Sequence, residues 1–291
     1  MALPPNMWLD LFILLGLNFV LYLHSLLVKN TFMVDFIWSG WPPILTYVIF
    51  LRLKSEETSQ LSLPRLITLF PLIMVWGFRL THNFLSRGGV GHEDWRYADM
   101  RVKFGKHFWW ISLFSVYWGQ TAFLWLPMLS IYGGVMNTRS YNSWDVVATL
   151  TCLAGIGLET FADMSMNNFI NLKKQKKTDK VILDTGLWAF SRHPNYLGEI
   201  CFWWGIYFFG VGYAEKWIIA GPLAITGLFF GVSVKLMEDR QEENKGEVFR
   251  NYKRKVGSGI ILLPPSVNLW LGKKLYGEIV TVDESGKESL N

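Results

Sequence analysis

Long apolar runs with almost no charge recur along this chain at 8–28, 34–51, 66–85, 109–132, 146–163, 200–214 and 217–237. Several reach the roughly 20 residues that an α-helix needs to cross the hydrocarbon core of a bilayer, and the second and sixth are shorter. Charged stretches separate them. The pattern predicts an all-α protein, a polytopic transmembrane helix bundle of about seven spans, with six or eight as alternatives. The stretch 271–291, which contains Asp283-Glu-Ser-Gly-Lys-Glu-Ser289, is polar and reads as a C-terminal tail. A single integral-membrane domain over 1–270 precedes it.

Charge placement adds an orientation. The intervals 29–33, 86–108, 164–199 and 238–291 together hold 21 Lys and Arg, against 5 in 52–65, 133–145 and 215–216. Positively charged loops stay cytosolic, so the N-terminus is expected outside and the C-terminus in the cytosol. The net charge of +5 mostly reflects this asymmetry. No soluble segment interleaves basic and aromatic residues as single-strand binders do, which argues against a nucleic-acid partner. The expected surroundings are a lipid membrane. The 15 Trp, 21 Phe and 11 Tyr suit an apolar ligand taken from it. The first apolar run lacks a basic leader and is long enough to remain as a helix.

Several chemistries are disfavoured by what the chain lacks. Cys152 and Cys201 both fall inside predicted spans and read as packing residues. His24, His82, His92, His107 and His193 show no metal-ligand spacing, so no metal is expected. There is no glycine-rich dinucleotide turn after a strand, no Walker loop, no His-Glu-x-x-His and no Gly-x-Ser-x-Gly.

Four polar clusters fall on the side assigned to the cytosol. The first is Gly91-His-Glu-Asp-Trp-Arg-Tyr97 with Asp99 and Arg101. The second is Glu159 and Asp163, four apart and on one helical face. The third runs from Gly186 to Glu199. The fourth spans Glu238 to Lys245 and continues to Tyr252. The third is the most specific. Pro194 suits the first turn of a helix, where its missing N–H costs nothing, so His193 is the expected cap. Backbone N–H groups at that end, beside Arg192 and His193, would suit a phosphate. Asn195, Glu199 and Trp203 recur every four residues on one face. An amide-bearing ring such as nicotinamide could use all three, by hydrogen bonds and by stacking. A capped interfacial helix explains the tryptophans equally well, but not the carboxylate.

The pattern Gly186-Leu-Trp-x-x-Ser-Arg-His-Pro-Asn-Tyr-Leu-Gly-Glu199, followed by Trp203-Trp-Gly205, resembles the membrane-bound steroid 5-alpha-reductase-like proteins, and most closely their DUF1295 branch. The resemblance extends back through Leu158-Glu-Thr-Phe-Ala-Asp163, Glu93-Asp-Trp-Arg-Tyr97, Trp76-Gly-Phe-Arg-Leu80 and Val34-Asp-Phe-Ile-Trp38, and forward to Tyr252 and Pro264. It implies a bundle of about seven helices holding NADPH in a cavity open to the cytosol, in the endoplasmic reticulum. By that resemblance Asn195 and Glu199 hold the nicotinamide carboxamide, with Trp203 close by. Glu159 and Asp163 touch the cofactor, and Arg192, His193, Tyr196 and the lysines from Lys173 to Lys180 neighbour its phosphates. Glu238, Lys245 and Tyr252 belong to the C-terminal motif that closes over it.

The chain departs from the steroid reductases on the substrate side. It has no Gln-Glu-Leu-Pro, and His82 stands where a tyrosine precedes Leu85-Ser-Arg-Gly88. Glu93, Tyr97 and His82 are therefore the catalytic candidates. The expected activity is NADPH-dependent reduction of a C=C bond in a steroid-like or other lipid enone. Sterol reductases and membrane methyltransferases share the Arg-His-Pro-x-Tyr core. The alternatives are thus a lipid or isoprenylcysteine methyltransferase using S-adenosylmethionine, and a catalytically silent sterol-binding protein.

Overall fold

The computed structural model describes residues 7–55, 62–212, 214, 216–282 and 288–290. Each apolar run has become helical. Helices α1 (Met7–Val28), α2 (Met33–Ser55) and α3 (Leu63–Ser86) follow the first three. The amphipathic α4 (Trp95–Phe104) comes next and is capped by Asp94, whose carboxylate accepts from the Arg96 N–H. The fourth run is a composite of α5 (Phe108–Ser112), a π-helical turn over Leu113–Trp118 and α6 (Gly119–Val135). Helix α7 (Ser143–Lys174) leads to a short 3-10 turn at Gly186–Ala189 and to α8 (Pro194–Phe208). A 3-10 turn at Lys216–Ile219, α9 (Ala220–Leu228), a π-helical turn at Phe229–Ser233 and α10 (Val234–Lys245) form the last long segment. Helices α11 (Glu247–Lys255) and α12 (Pro265–Tyr276) follow. Residues Val280–Val282 then pair antiparallel with Glu288–Leu290. The expected boundary at 270 therefore falls within α12. Residues 283–287 and 291 of the expected tail lie outside the described residues.

Among the described residues five helices, not seven, are long and apolar enough to cross a membrane: Met7–Val28, Met33–Leu51, Leu63–Ser86, Ser143–Lys174 and Lys216–Lys245. The sixth run ends up in α8, which has 15 residues. At 1.5 Å per residue that is about 22 Å, short of the ~30 Å hydrocarbon core. The fourth run is diluted by Ser, Gln and Gly.

Helix α1 shows directly that its surroundings are apolar. Its buried residues are Asp10, Leu14, Asn18, Tyr22 and Ser25, a mostly polar stripe at helical spacing. Phe12, Val20 and Leu27 point outward and are 66%, 60% and 83% exposed. A helix in water buries the opposite face. This arrangement is stable where the outside is lipid and polar groups find partners only inside. They do: Asn18 donates to Thr121 and accepts from Trp41 Nε1 at 2.8 Å, and the Tyr132 hydroxyl donates to Asp10.

The described chain divides into two compact units, one from Met1–Leu153 and Phe202–Ile225, the other from Ala154–Cys201 and Thr226–Asn291. Two features organise the first. Trp76 stacks on Phe202 with ring centroids 5.0 Å apart and meets the edge of Trp203 at 5.3 Å. Arg65, fully buried, pairs with Asp145 at 2.6 Å. In the second unit two glycines set helix spacing. A Cβ on Gly198 would lie 2.5 Å from Glu159 Cγ and 2.7 Å from the Gly155 carbonyl, so α8 rests directly on the backbone of α7. A Cβ on Gly272 would overlap the Arg254 carbonyl, so α12 sits equally close to α11. Gly198→Val should therefore push α8 off α7, at about 1–3 kcal/mol. A lowered thermal midpoint in detergent is the expected reading, and an unchanged midpoint would show that the helices accommodate the side chain.

Candidate active site

The most specific polar cluster lies in the second unit, and its geometry begins at the start of α8. The helix opens at Pro194, as the proline predicts. The residues before it are laced to 256–263. The Phe190 carbonyl accepts from the Leu263 N–H and from Asn268 Nδ2, both at 2.9 Å. The Ser191 hydroxyl lies 2.8 Å from the Ile260 carbonyl. The backbone N–H groups of Arg192 and His193 donate to the carbonyls of Ser258 (3.1 Å) and Gly259 (2.8 Å). These two amides, which lie just before the helix start, are thus bonded within the protein.

The Arg192 side chain is engaged as well. Its Nε donates to Glu238 at 2.7 Å, Nη1 to the Val256 carbonyl at 2.5 Å and Nη2 to the Tyr276 hydroxyl at 3.2 Å. The His193 ring lies 3.2 Å from the same Glu238 oxygen and stacks on Tyr196 at 4.9 Å. Tyr196 in turn packs against Phe229 at 4.7 Å. Arg192, His193 and Glu238 therefore form one buried tie between the start of α8, α10 and the 256–260 segment. Tyr252 is brought beside it and donates to the Trp188 carbonyl at 2.6 Å. Burial pushes the Tyr252 phenol well above its ordinary range, so it keeps its proton. Lys245 ends α10.

Beyond this tie lies the face of α8 singled out by spacing. Glu199 is buried, as are Glu159 and Asp163 on α7. Asn195, one turn earlier on α8, is half-buried. Its Oδ1 is buried and has no hydrogen-bond partner among the described residues. An unpaired buried acceptor costs free energy unless a ligand donor meets it. Trp203, on the same spacing, belongs to the other unit and is fully buried against Trp76.

The second unit also carries an open cleft of about 260 Å³, lined by Lys180, Asp184, Asn251, Tyr252 and Lys255 among apolar residues. Asp184 bridges the two lysines, at 3.0 Å from Lys180 and 2.7 Å from Lys255. Burial alone would raise its carboxyl, but the two ammonium groups prevail and hold it below the usual range.

The catalytic candidates lie in the first unit and do not form one cluster. Glu93 Oε1 accepts from the Thr31 N–H (3.1 Å), the Thr31 hydroxyl (2.9 Å) and Arg101 (2.6 Å), which ties the loop after α1 to α4. His82 is exposed near the end of α3 with its ring beside Phe78. Tyr97, 5% exposed, accepts from Gln120 Nε2 at 2.9 Å and lies 3.5 Å from Asp35. Among the described residues no hydrogen bond joins His82, Glu93 and Tyr97.

Tyr276, Asn268 and Gln120 escaped the sequence reading. Their partners are 84, 78 and 23 residues away, beyond any helical periodicity. Asp35 carried a signal, since it lies in the Val34–Trp38 motif.

Comparison with known proteins places this arrangement. The chain is 29% identical over 267 residues to an uncharacterized protein of Schizosaccharomyces pombe, covering 82% of this chain and 74% of that one. It is 35% identical over 96 residues to a protein-S-isoprenylcysteine O-methyltransferase of Saccharomyces cerevisiae, covering 31% of this chain and 36% of the relative. Over 70 residues it is 41% identical to a Delta(14)-sterol reductase of Gallus gallus, covering 20% of this chain and 11% of the reductase. The chain thus spans only a minor part of these last two relatives. No solved structure matches it. Residues 21–256 match the family described as protein of unknown function DUF1295, so the chain belongs to that family, part of the steroid 5-alpha-reductase-like superfamily.

Proposed function

We propose that this protein is a membrane-embedded oxidoreductase that binds NADPH and reduces a carbon–carbon double bond of a steroid-like or other lipid enone. The observation that carries the reading is the buried, unpartnered Oδ1 of Asn195, one helical turn before the buried carboxylate of Glu199. A primary carboxamide brings two N–H donors on one nitrogen, and an amide oxygen and a carboxylate at this spacing suit them. The residues present therefore fit a nicotinamide, with Asn195 and Glu199 as its holders and Glu159 and Asp163 nearby on α7. Once bound, NADPH supplies the hydride; the chain supplies position and electrostatics. Tyr252 belongs to the C-terminal segment that would close over the cofactor, and the cleft it lines joins that segment to Lys180–Asp184. Of the three catalytic candidates Tyr97 is the buried one, and its hydroxyl is already engaged by Asp35 and Gln120. The cofactor side would face the cytosol and the protein the endoplasmic reticulum membrane.

Titration calorimetry on the detergent-purified protein tests this. NADPH should bind, and Glu199→Gln should weaken it about tenfold, the worth of one charge-assisted hydrogen bond. Binding of S-adenosylmethionine with NADPH ignored would overturn the reading. It would favour the second one, a lipid or isoprenylcysteine methyltransferase, which the likeness to the yeast methyltransferase supports.

A further inference from the structure

The first unit holds a polar group outside the proposed cofactor site. Tyr97, on α4, is buried and meets Asp35 from the first turn of α2 and Gln120 from α6. Arg96 lies 3.4 Å from the same Asp35 oxygen and 2.7 Å from Asp94, so its charge is shared between the two carboxylates. Gln120 spends one end of its amide on the Tyr97 hydroxyl. The other end, Oε1, is buried and has no hydrogen-bond partner among the described residues. Gln120 also lies two residues past the end of the π-helical turn Leu113–Trp118. Such turns cost hydrogen-bond geometry and recur where a helix must aim side chains at a ligand.

A half-buried amide whose oxygen is enclosed without a partner, in a helix among membrane-spanning neighbours, asks for a polar group that arrives with a ligand. Tyr97 packs in one apolar cluster with Tyr22, Val34, Ile37, Val116 and Leu124, surroundings that do not suit a hydrated ion. A pure hydrocarbon would leave the amide unpaired. The amide oxygen needs a donor, which a ketone lacks and a hydroxyl has. The amide can also turn end for end, and a hydroxyl, which both donates and accepts, answers whichever end it meets. Tyr97, its phenol pushed well above the ordinary range first by burial and then by the Asp35 carboxylate, stays a neutral partner beside it.

We propose that Asp35, Tyr97 and Gln120 form the seat for the hydroxyl group of an apolar lipid alcohol, with Gln120 as the specificity-determining residue. The carboxylate and the Gln120 amide fix the rotation of the Tyr97 hydroxyl, and the free end of the amide bonds the ligand. This goes beyond the reductase reading and narrows its substrate to lipids that carry a hydroxyl at the end seated here. It holds whichever cofactor the second unit takes.

The test is equilibrium binding of tritiated cholesterol to the full-length protein in detergent, with no cofactor present. Competition with the 3-keto and 3-deoxy counterparts then reads the preference. The alcohol should bind about tenfold or more tighter than the deoxy compound, since losing the hydroxyl leaves a buried group unpaired. Gln120→Leu should abolish that preference while residual apolar binding persists. Gln120→Met, closer in shape, serves if the leucine variant does not fold. Equal binding of alcohol and deoxy compound by the wild-type protein would overturn the proposal, as would a folded Gln120 variant that keeps the preference. NADPH binding measured on the same preparation keeps the two readings separable, because either can fail alone.

Discussion

Glu238→Ala should lower stability by about 3–5 kcal/mol, the usual result of stripping one partner from a buried ion pair. Glu238 and Arg192 have side chains only 9% and 3% exposed and meet at 2.7 Å. Without the carboxylate, the guanidinium keeps the Val256 carbonyl and the Tyr276 hydroxyl but no counter-charge, and the His193 ring loses its partner. Thermal unfolding in detergent should show a large drop in midpoint, or no cooperative transition at all. The double variant Arg192→Met with Glu238→Leu should recover much of the loss, because an apolar pair of similar volume removes the desolvation penalty along with the attraction. An unchanged midpoint for Glu238→Ala would show that the tie is not structural. The double variant also separates architecture from binding. If it folds and still takes NADPH as the wild type does, Arg192 holds the fold. If affinity falls tenfold or more in a folded protein, Arg192 serves a phosphate as well.

A comparable effect is expected at the other unit's buried pair. Arg65 reaches Asp145 through Nε at 2.6 Å and Nη2 at 2.8 Å, and donates to the carbonyls of Asn137 (2.6 Å), Arg139 (2.7 Å) and Ser140 (3.2 Å). One planar fork thus closes the 137–140 loop onto the start of α3 and the first turn of α7. Asp145→Ala should cost about 3–5 kcal/mol for the same reason as above. Arg65→Lys should be nearly as damaging. An ammonium is a point charge with three donors and cannot satisfy a carboxylate and three carbonyls in one plane. Thermal midpoints and the yield of folded protein in detergent check both. A lysine variant as stable as the wild type would show that charge alone, without the fork, closes the loop.

The apolar runs located the long helices but not α4, α11 or α12, since a low-charge stretch of that length has few alternatives to helix in lipid. They were a poorer guide to spanning. The run at 200–214 suggested a span, yet α8 starts at Pro194 and stops at Phe208, with Gly210 and Gly212 just beyond. The alternating polar positions of α1 were visible in the sequence, but only the packing showed that Asp10, Asn18 and Ser25 face inward. For the candidate site, the Pro194 helix start and the shared face of Asn195 and Glu199 were readable from local spacing. The state of Arg192 was not. Read alone, a basic pair before a helix points to an anion; its actual partner is Glu238, 46 residues on.

The stretch from Gly186 to Glu199 was specific enough in sequence to name the family and to propose NADPH. The family and the cofactor rest on the resemblance of that stretch; spacing alone put Asn195 and Glu199 on one face, because residues four apart in a helix share one. Only the tertiary structure showed which of these groups the protein already satisfies and which it leaves open. Arg192 and His193 are tied down, and Asn195 keeps a buried oxygen without a partner. Only the fold brings Gln120 to Tyr97 and Asp35. Whether a polar atom has a partner depends on segments tens of residues away, and chain periodicity carries no information about them.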